Sequence, residues 1–352
     1  MYIKKIKLFN FRNYEEQEIE LYDKINIFYG DNAQGKTNIL EAIYICALGK
    51  SFRTKREKEL IKFDKSNTTV EIEFEKKDRD GKIKLYIDNK KTFFVNGIKI
   101  KKLSELLGNI NIVMFSPDDI SILKGGPENR RKFLDIMISQ IRPNYIFLLN
   151  QYIKTLEQRN NYLRQIKFEN KNMDMLDIWD EKLAELSEKI YKYRKEFIDK
   201  INNKIPEIHG KITEEKENIK MLYTSYCTNC GKLLEDLKKQ RINDINKGYT
   251  RLGIHRDDFS IEINNKALQI FGSQGQHRSA ILSLKITELE IIKEEIGEYP
   301  ILLLDDFMSE LDTKRKSNFL ENIENIQVII TCTEKINKKD AKIQNIKNGK
   351  LE

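Results

Sequence analysis

The chain is poor in residues that would give it a covalent frame or a metal centre. Its 352 residues include four cysteines, three histidines, five prolines and one tryptophan. So few cysteines (Cys46, Cys227, Cys230 and Cys332) do not staple a chain of this length and point to a reducing compartment. Only Cys227 and Cys230 have the spacing of metal ligands. A structural zinc site takes four ligands, commonly as two such pairs. No second pair exists, and His209, His255 and His277 are scattered. Two readings remain open for the pair: free thiols on a loop or helix end, or half of a zinc site bridging two copies. No run approaches the ~18 apolar residues of a membrane helix, which excludes an integral helical membrane protein. Residues 1–11 alternate charged and apolar side chains and lack an apolar signal core, so the expected location is cytoplasmic. Internal repeats and low-complexity linkers are missing too.

A dominant charge is also lacking. Lys and Arg total 63 against 55 Asp and Glu, a net charge of +8. That excess permits a nucleic-acid partner without requiring one. At about 150 residues per domain the length suggests two domains, large enough to bury a core without staples.

The ends of the chain read as strands and the middle as helices. Ile6 and Leu8 alternate with Lys5 and Lys7, residues 24–29 form a short apolar strand, and residues 70–74 and 83–87 alternate around the turn at 78–81. Residues 91–100 add a strand–turn–strand signal around Asn96-Gly97. Beyond about residue 128, Tyr145, Leu148, Leu149, Tyr152, Ile153 and Leu156 follow helical spacing. Leu176, Trp179, Leu183, Leu186, Ile190, Tyr193 and Phe197 form a seam of three heptads. With residues 168–174 between them, the two helices make an antiparallel pair, expected to be an arm of about 30–35 Å. Strand character returns at 259–263, a helix is expected over 276–296, and 299–304 and 327–330 read as strands buried on both faces.

The sharpest motif is Gly30-Asp31-Asn32-Ala33-Gln34-Gly35-Lys36-Thr37, which fits G-x-x-x-x-G-K-[ST] at every fixed position. A strand precedes it and an amphipathic helix is expected to follow. Glycines let backbone N–H groups wrap phosphates, the helix N-terminus adds positive potential, Lys36 reaches the β- and γ-phosphates, and the Thr37 hydroxyl ligates Mg²⁺. Such a loop needs an acid at the tip of a neighbouring strand. Leu302-Leu303-Leu304-Asp305-Asp306 supplies it, with Asp305 holding Mg²⁺ and Asp306 polarising the attacking water. These residues predict ATP and Mg²⁺ as cofactors, with Lys36 and Asp306 as the catalytic pair. Gly30 and Asp305 lie 275 positions apart, so a large helical insert must separate the halves of one site.

Two further motifs carry a resemblance. Ser273-Gln274-Gly275-Gln276 opens a helix before Asp305, and Ser309-Glu310-Leu311-Asp312 follows it. In this order they are similar to the signature motif and D-loop of ABC-type ATPases of the SMC/Rad50 branch. More narrowly, the chain resembles the RecF family of bacterial DNA replication, repair and recombination proteins. The matching segments are Asn10-Phe11-Arg12-Asn13-Tyr14, residues 30–43, Ser51-Phe52-Arg53-Thr54, residues 115–119, 126–135 and 253–258, 271–278 and 299–312. Ile254 stands where that family usually has proline.

The resemblance implies an α/β fold, an ABC/SMC-type P-loop ATPase head with an inserted helical lobe. Its expected parts are 1–125 (ATPase lobe, N-terminal part), 126–250 (helical lobe with a short arm) and 251–352 (ATPase lobe, C-terminal part). It further implies a weak, DNA-stimulated ATPase that binds single-stranded, double-stranded and gapped DNA. Two copies would close head to tail around ATP, with Ser273, Gln274, Gly275 and Gln276 acting in trans and Ser309 and Asp312 in the D-loop. With RecO and RecR, such a protein helps load RecA. Arg12 would contact the ATP phosphates. Thr333 stands at the switch-histidine position, and since threonine does not take a proton readily, slow hydrolysis is expected. Residues 115–119 occupy the Q-loop region without a glutamine.

The run of residues 50–58 carries five positive charges. Arg53, Lys55 and Arg56 within it, and Arg130 and Arg131 further on, are candidate DNA contacts. Arg251, His255 and Arg256 are others, although Arg256-Asp257-Asp258 also reads as an internal salt-bridge cluster. Three alternatives stand beside this function: a transporter ATPase subunit with a membrane partner, an SMC-like structural DNA clamp with a far longer coiled coil, and a non-enzymatic binder that ATP merely assembles.

Overall fold

The structure is a computed structural model that describes residues 1–169, 171–306, 325–336 and 338–351. Its N-terminal elements are β1 (Tyr2–Phe11), β2 (Tyr14–Glu20), β3 (Ile25–Tyr29), α1 (Lys36–Leu48), β4 (Thr68–Glu75), β5 (Asp80–Ile87), β6 (Lys91–Val95), β7 (Ile98–Lys99), α2 (Leu103–Leu106) and β8 (Ile112–Phe115). A helical stretch follows: α3 (Ile120–Lys124), α4 (Pro127–Ile141), α5 (Pro143–Glu169), α6 (Leu176–Thr213), β9 (Ile219–Thr224), α7 (Cys230–Lys247), β10 (Asp258–Ile263), β11 (Lys266–Ala267), α8 (Leu268–Phe271) and α9 (Gln274–Ile296). The C-terminal strands are β12 (Ile301–Asp305), β13 (Val328–Cys332), β14 (Ala341–Lys347) and β15 (Lys350–Leu351). The chain divides into two compact units, Met1–Asp119 with Glu288–Glu352, and Ile120–Thr287.

The first unit holds two sheets. One is ordered β2-β1-β4-β5-β6-β7 and is antiparallel throughout. Its alternation is that of a half-buried sheet: in β4, Thr68, Val70, Ile72 and Phe74 are buried, while Glu71 and Glu73 pair with Lys82 on β5. Asn96 and Gly97 both adopt positive φ, 50° and 82°, the turn that joins two strands of right-handed twist.

The other sheet is ordered β15-β14-β3-β13-β12-β8, with β14, β3, β13, β12 and β8 parallel. Every residue of β8, β12 and β13 is buried, which is why these segments are continuously apolar. The acid strand β12 does not adjoin the P-loop strand β3, as the sequence led us to expect. β13 lies between them and pairs with both. The helix after the P-loop also differs from expectation. All but Thr37 and Asn38 of the thirteen residues of α1 are buried. It touches β4 and β5 of one sheet and β12 and β13 of the other, so no solvent-facing side remains and the helix is apolar nearly all round.

The second unit is built on the α5–α6 pair. Arg159 meets Asp180 near one end and Tyr145 meets Arg194 near the other, which makes the pair antiparallel. Leu163, Ile166 and Leu176 close the tip, packed by Tyr162 and Trp179. The seam does not stop at Phe197: Ile201 and Ile205 continue it, also buried. With 38 residues, α6 is about 57 Å long at ~1.5 Å per residue, well beyond the expected 30–35 Å. Asp180, Ser187, Arg194 and Ile201, spaced by sevens, are all buried. The polar members of this column survive burial because ion pairs and hydrogen bonds offset the loss of water for Asp180 and Arg194.

The expected return to the ATPase lobe at residue 251 comes too early. Residues 251–287 belong to this second unit, because β10 pairs along its whole length with β9, Phe259 opposite Tyr223 and Ile261 opposite Met221.

Candidate functional site

β3 ends at Tyr29, and the chain turns through Gly30 at φ 148° into the P-loop. A Cβ on Gly30 would stand 2.4 Å from the Ile346 carbonyl oxygen, and one on Gly35 (φ 112°) 2.6 Å from the Asn13 amide, so both positions require glycine. The loop is braced from outside. Asn13 Nδ2 donates to the Gln34 carbonyl at 2.8 Å, Tyr14 donates its hydroxyl to the Gly35 carbonyl at 3.0 Å, and Gly349 N donates to the Gln34 carbonyl at 3.1 Å. No side chain caps α1, which leaves its N-terminus free to bind an anion.

Lys36 is 4% exposed, and its Nζ donates to the carbonyls of Gly30 (2.6 Å) and Asp31 (2.8 Å). Thr37 donates its hydroxyl to Asp305 Oδ1 at 2.8 Å. The same oxygen accepts from Thr331 on β13 at 2.7 Å. Thr331 stands directly opposite Asp305 in the β12–β13 register, so the intervening strand supplies the third member of the group. Asp306, at φ 46°, donates its N–H to the Thr331 carbonyl and hydroxyl, both at 3.2 Å. Burial, then the neighbouring Asp305 charge, raises the Asp306 pKa, with Lys36 acting in the opposite direction. Lys36, Thr37, Asn38, Arg53 and Asp306 line a cleft of about 270 Å³.

Arg12 does not line this cleft. Its guanidinium grips Glu41 with two bonds of 2.7 and 2.8 Å and donates to the Glu59 carbonyl at 2.7 Å. Glu41 is fully buried on α1, accepts from Ser51 at 2.5 Å, and lies 3.6 Å from Arg53. Arg12 instead borders a wider cleft of about 1050 Å³, with Asn38, Arg53, Ile61, Phe63 and Lys65. Arg53 and Asn38 line both clefts, and the Phe63 ring is 88% exposed. Two of these contributors are not evident in the sequence. Thr331 looks like part of an apolar strand and Phe63 like an isolated surface residue. Glu41 carries a usable signal, a lone carboxylate among Ile39, Leu40, Ala42 and Ile43.

Ser273 and Gln276 form a reciprocal capping box at the start of α9. Ser273 N donates to Gln276 Oε1 at 2.9 Å and Gln276 N to Ser273 Oγ at 3.2 Å. Gln276 Nε2 also donates to Glu217 at 2.9 Å. Ser273, Gln274 and Gly275 are exposed. Ser309 and Asp312 lie outside the described residues. Thr333 directly follows β13 and is exposed.

The candidate DNA contacts separate. Arg53, Lys55 and Arg56 are exposed, with Arg56 3.7 Å from Glu59. Arg130 does not face solvent. It is 7% exposed, grips Asp258 with bonds of 2.6 and 2.9 Å and donates to the Gly125 carbonyl, so its guanidinium is engaged inside the fold. Arg131 donates to the Asp257 carbonyl, and burial and the nearby Arg194 lower its pKa. Cys227 is buried, and burial pushes its thiol up to about 12. Among the described residues no group of three or more His, Cys, Asp or Glu is placed to hold a metal.

Residues 2–349 match the RecF/RecN/SMC N terminal domain. The DNA replication and repair protein RecF of Clostridium botulinum (strain ATCC 19397 / Type A) is 47% identical over 363 aligned residues, covering 100% of this chain and 99% of that one. The chain belongs to the RecF family. A structure of the recombination mediator protein RecF with ATP, in the RecFOR pathway, superposes with a TM-score of 0.95 at 41% identity, covering 100% of this chain and 97% of that one. The Smc head domain of Pyrococcus furiosus superposes at 0.56 with 17% identity over 99% and 95% of the two chains. That likeness shows the shared fold, an SMC-type ATPase head with an inserted helical unit.

Proposed function

We propose that this chain is a cytoplasmic, ATP-dependent DNA-binding protein of DNA replication and recombinational repair, in which ATP joins two copies and hydrolysis releases them. The observation that carries it is the 2.8 Å contact between Thr37 and Asp305, 268 positions apart. A hydroxyl at a helix start and a carboxylate at a strand tip are the hard oxygen donors that a Mg²⁺–triphosphate takes from protein. With no larger acidic cluster among the described residues, Mg²⁺ would complete its shell from phosphate and water. When bound, it neutralises charge on the β- and γ-phosphate oxygens.

The chain's own residues do the rest. Lys36 trades two carbonyls for phosphate oxygens, and the open N-terminus of α1 adds its field. Thr331 holds the Asp305 carboxylate, and Asp306 orients the attacking water and accepts its proton. The wider cleft with Arg12, Arg53 and Phe63 takes the nucleoside end. The exposed Ser273, Gln274 and Gly275, fixed by their capping box, act on the nucleotide held by a second copy. Thr333 does not take up a proton readily, which fits slow, DNA-stimulated turnover. DNA gaps and junctions are the substrate, and RecO and RecR the partners that lead to RecA loading.

Sedimentation with and without ATP and gapped DNA, beside ATP turnover, tests this. Wild type dimerises with ATP and hydrolyses it faster on gapped DNA. Lys36→Ala loses both, and Asp306→Asn dimerises without turnover. ATP-dependent dimers that persist in Lys36→Ala overturn the mechanism.

A further inference from the structure

The second unit presents a group of cations and one aromatic ring that the nucleotide chemistry leaves unused. They sit on the segment from the end of α7 to the start of β10. Lys247, Tyr249, Arg251 and Arg256 are exposed, while Thr250, Ile254 and Asp257 between them are buried. Among the described residues no carboxylate pairs with Lys247, Arg251 or Arg256. The two aspartates that follow Arg256 are spent elsewhere: Asp257 on Arg194, Tyr223 and Ser225, and Asp258 on Arg130. The internal cluster suggested by Arg256-Asp257-Asp258 therefore takes both acids and leaves out the arginine. Arg256 lies over the Tyr249 ring instead, 5.5 Å from its centroid, and that ring is 42% exposed.

The segment is held rigid from beneath. Gly248, in the left-handed conformation at φ 75°, caps α7 by donating to the Asp244 and Ile245 carbonyls. Thr250, 1% exposed, donates N–H and hydroxyl to Asn160 Oδ1, both at 2.7 Å, and accepts from Arg159 at 2.8 Å. His255 Nε2 meets the Thr250 carbonyl at 3.1 Å, and a carbonyl only accepts, so this nitrogen carries the proton. Nδ1 then accepts the Tyr152 hydroxyl at 2.6 Å. Anchors thus alternate with displayed side chains, and binding would order little that is not ordered already.

Unpaired cations around an aromatic ring on a pre-ordered backbone suit a strand whose bases are free to stack. We propose that Lys247, Tyr249, Arg251 and Arg256 form a single-stranded DNA-binding surface of the inserted unit, built from residues that the nucleotide site does not use. The three cations contact phosphates and Tyr249 stacks on a base. This rests on the proposed function, in which DNA is the partner. An acidic protein segment would meet the same charges but has no use for the exposed ring.

Fluorescence anisotropy with labelled oligo(dT), without nucleotide and across a salt series, tests the surface. Arg251→Gln with Arg256→Gln removes two phosphate contacts. Binding is then expected to weaken about tenfold and the salt slope to fall by about 1.4. Tyr249→Leu is expected to weaken binding about fivefold or more, while Tyr249→Phe keeps wild-type affinity. All these variants should keep wild-type melting and DNA-free ATP turnover. If wild type binds neither oligo(dT) nor, with ATP, gapped DNA, the proposed function itself falls; if it binds gapped DNA with ATP but not oligo(dT), only this surface is wrong. If wild type binds and the double variant matches it in affinity and slope, only this surface is wrong. Polyglutamate displacing oligo(dT) equally well at matched charge also overturns it, in favour of a protein partner.

Discussion

Thr331 donates its hydroxyl to Asp305 Oδ1 at 2.7 Å, the oxygen that also accepts from Thr37 at 2.8 Å. The strand between the P-loop strand and the acid strand is therefore part of the site, and its threonine fixes the carboxylate proposed above as the metal ligand. Replacing Thr331 by Val keeps the shape and removes the bond, worth about 1 kcal/mol. ATP turnover should fall roughly fivefold to tenfold with little change in nucleotide affinity, and Thr331→Ser should restore it. Steady-state turnover beside equilibrium nucleotide binding separates the two effects.

Asp306 has its pKa raised by burial and by the Asp305 charge. A base works only when deprotonated, so turnover should drop as pH falls through a pKa above the ordinary carboxylate range near ~3.9. Asp306→Asn should lower turnover by about 10²-fold or more and abolish that acid limb, leaving nucleotide binding intact. Rate–pH profiles of both proteins check the claim.

Glu41 is a fully buried carboxylate held by two bonds from Arg12. Removing one partner of such a pair leaves the other uncompensated, at a cost of about 3 kcal/mol. Glu41→Ala should show that loss in urea unfolding. The double replacement with Arg12→Ala should cost clearly less than the two singles added, because no lone charge remains.

His255 is neutral in the folded chain, its pKa lowered to about 4, chiefly by burial. The unfolded chain protonates near ~6.5, so the stability from keeping it neutral is complete above that value. It is lost as pH falls from about 6.5 to about 4, on the order of 2–3 kcal/mol. Thermal melts from pH 7 to pH 4.5 should show this slope, and His255→Asn should flatten it while lowering stability at pH 7.

Part of the site is legible in the amino-acid sequence. Gly30, Gly35, Lys36 and Thr37 are close along the chain because one turn and one helix start must carry them all. Asp305 and Asp306 stand out because two charges end the most apolar run. Thr331 does not, since a threonine inside a buried strand shows its role only once the register places it opposite Asp305. Arg130 and Arg256 look alike as basic candidates. The fold buries Arg130 against Asp258 and leaves Arg256 over Tyr249.

The linear chain is enough to specify the local chemistry: a phosphate loop, an acid pair, a capping serine and glutamine, and two long helices between them. Those depend on contacts within a few residues, or on one periodicity, and both are written along the chain. Folding in three dimensions was needed to place β13 between the loop and the acids, and to leave α1 without a solvent face between its two sheets. It also settled which cations are spent in buried pairs. Such outcomes depend on side chains tens to hundreds of positions apart competing for the same partners. Asp305 accepts from Thr37 and Thr331 alike, and no stretch of sequence contains that choice.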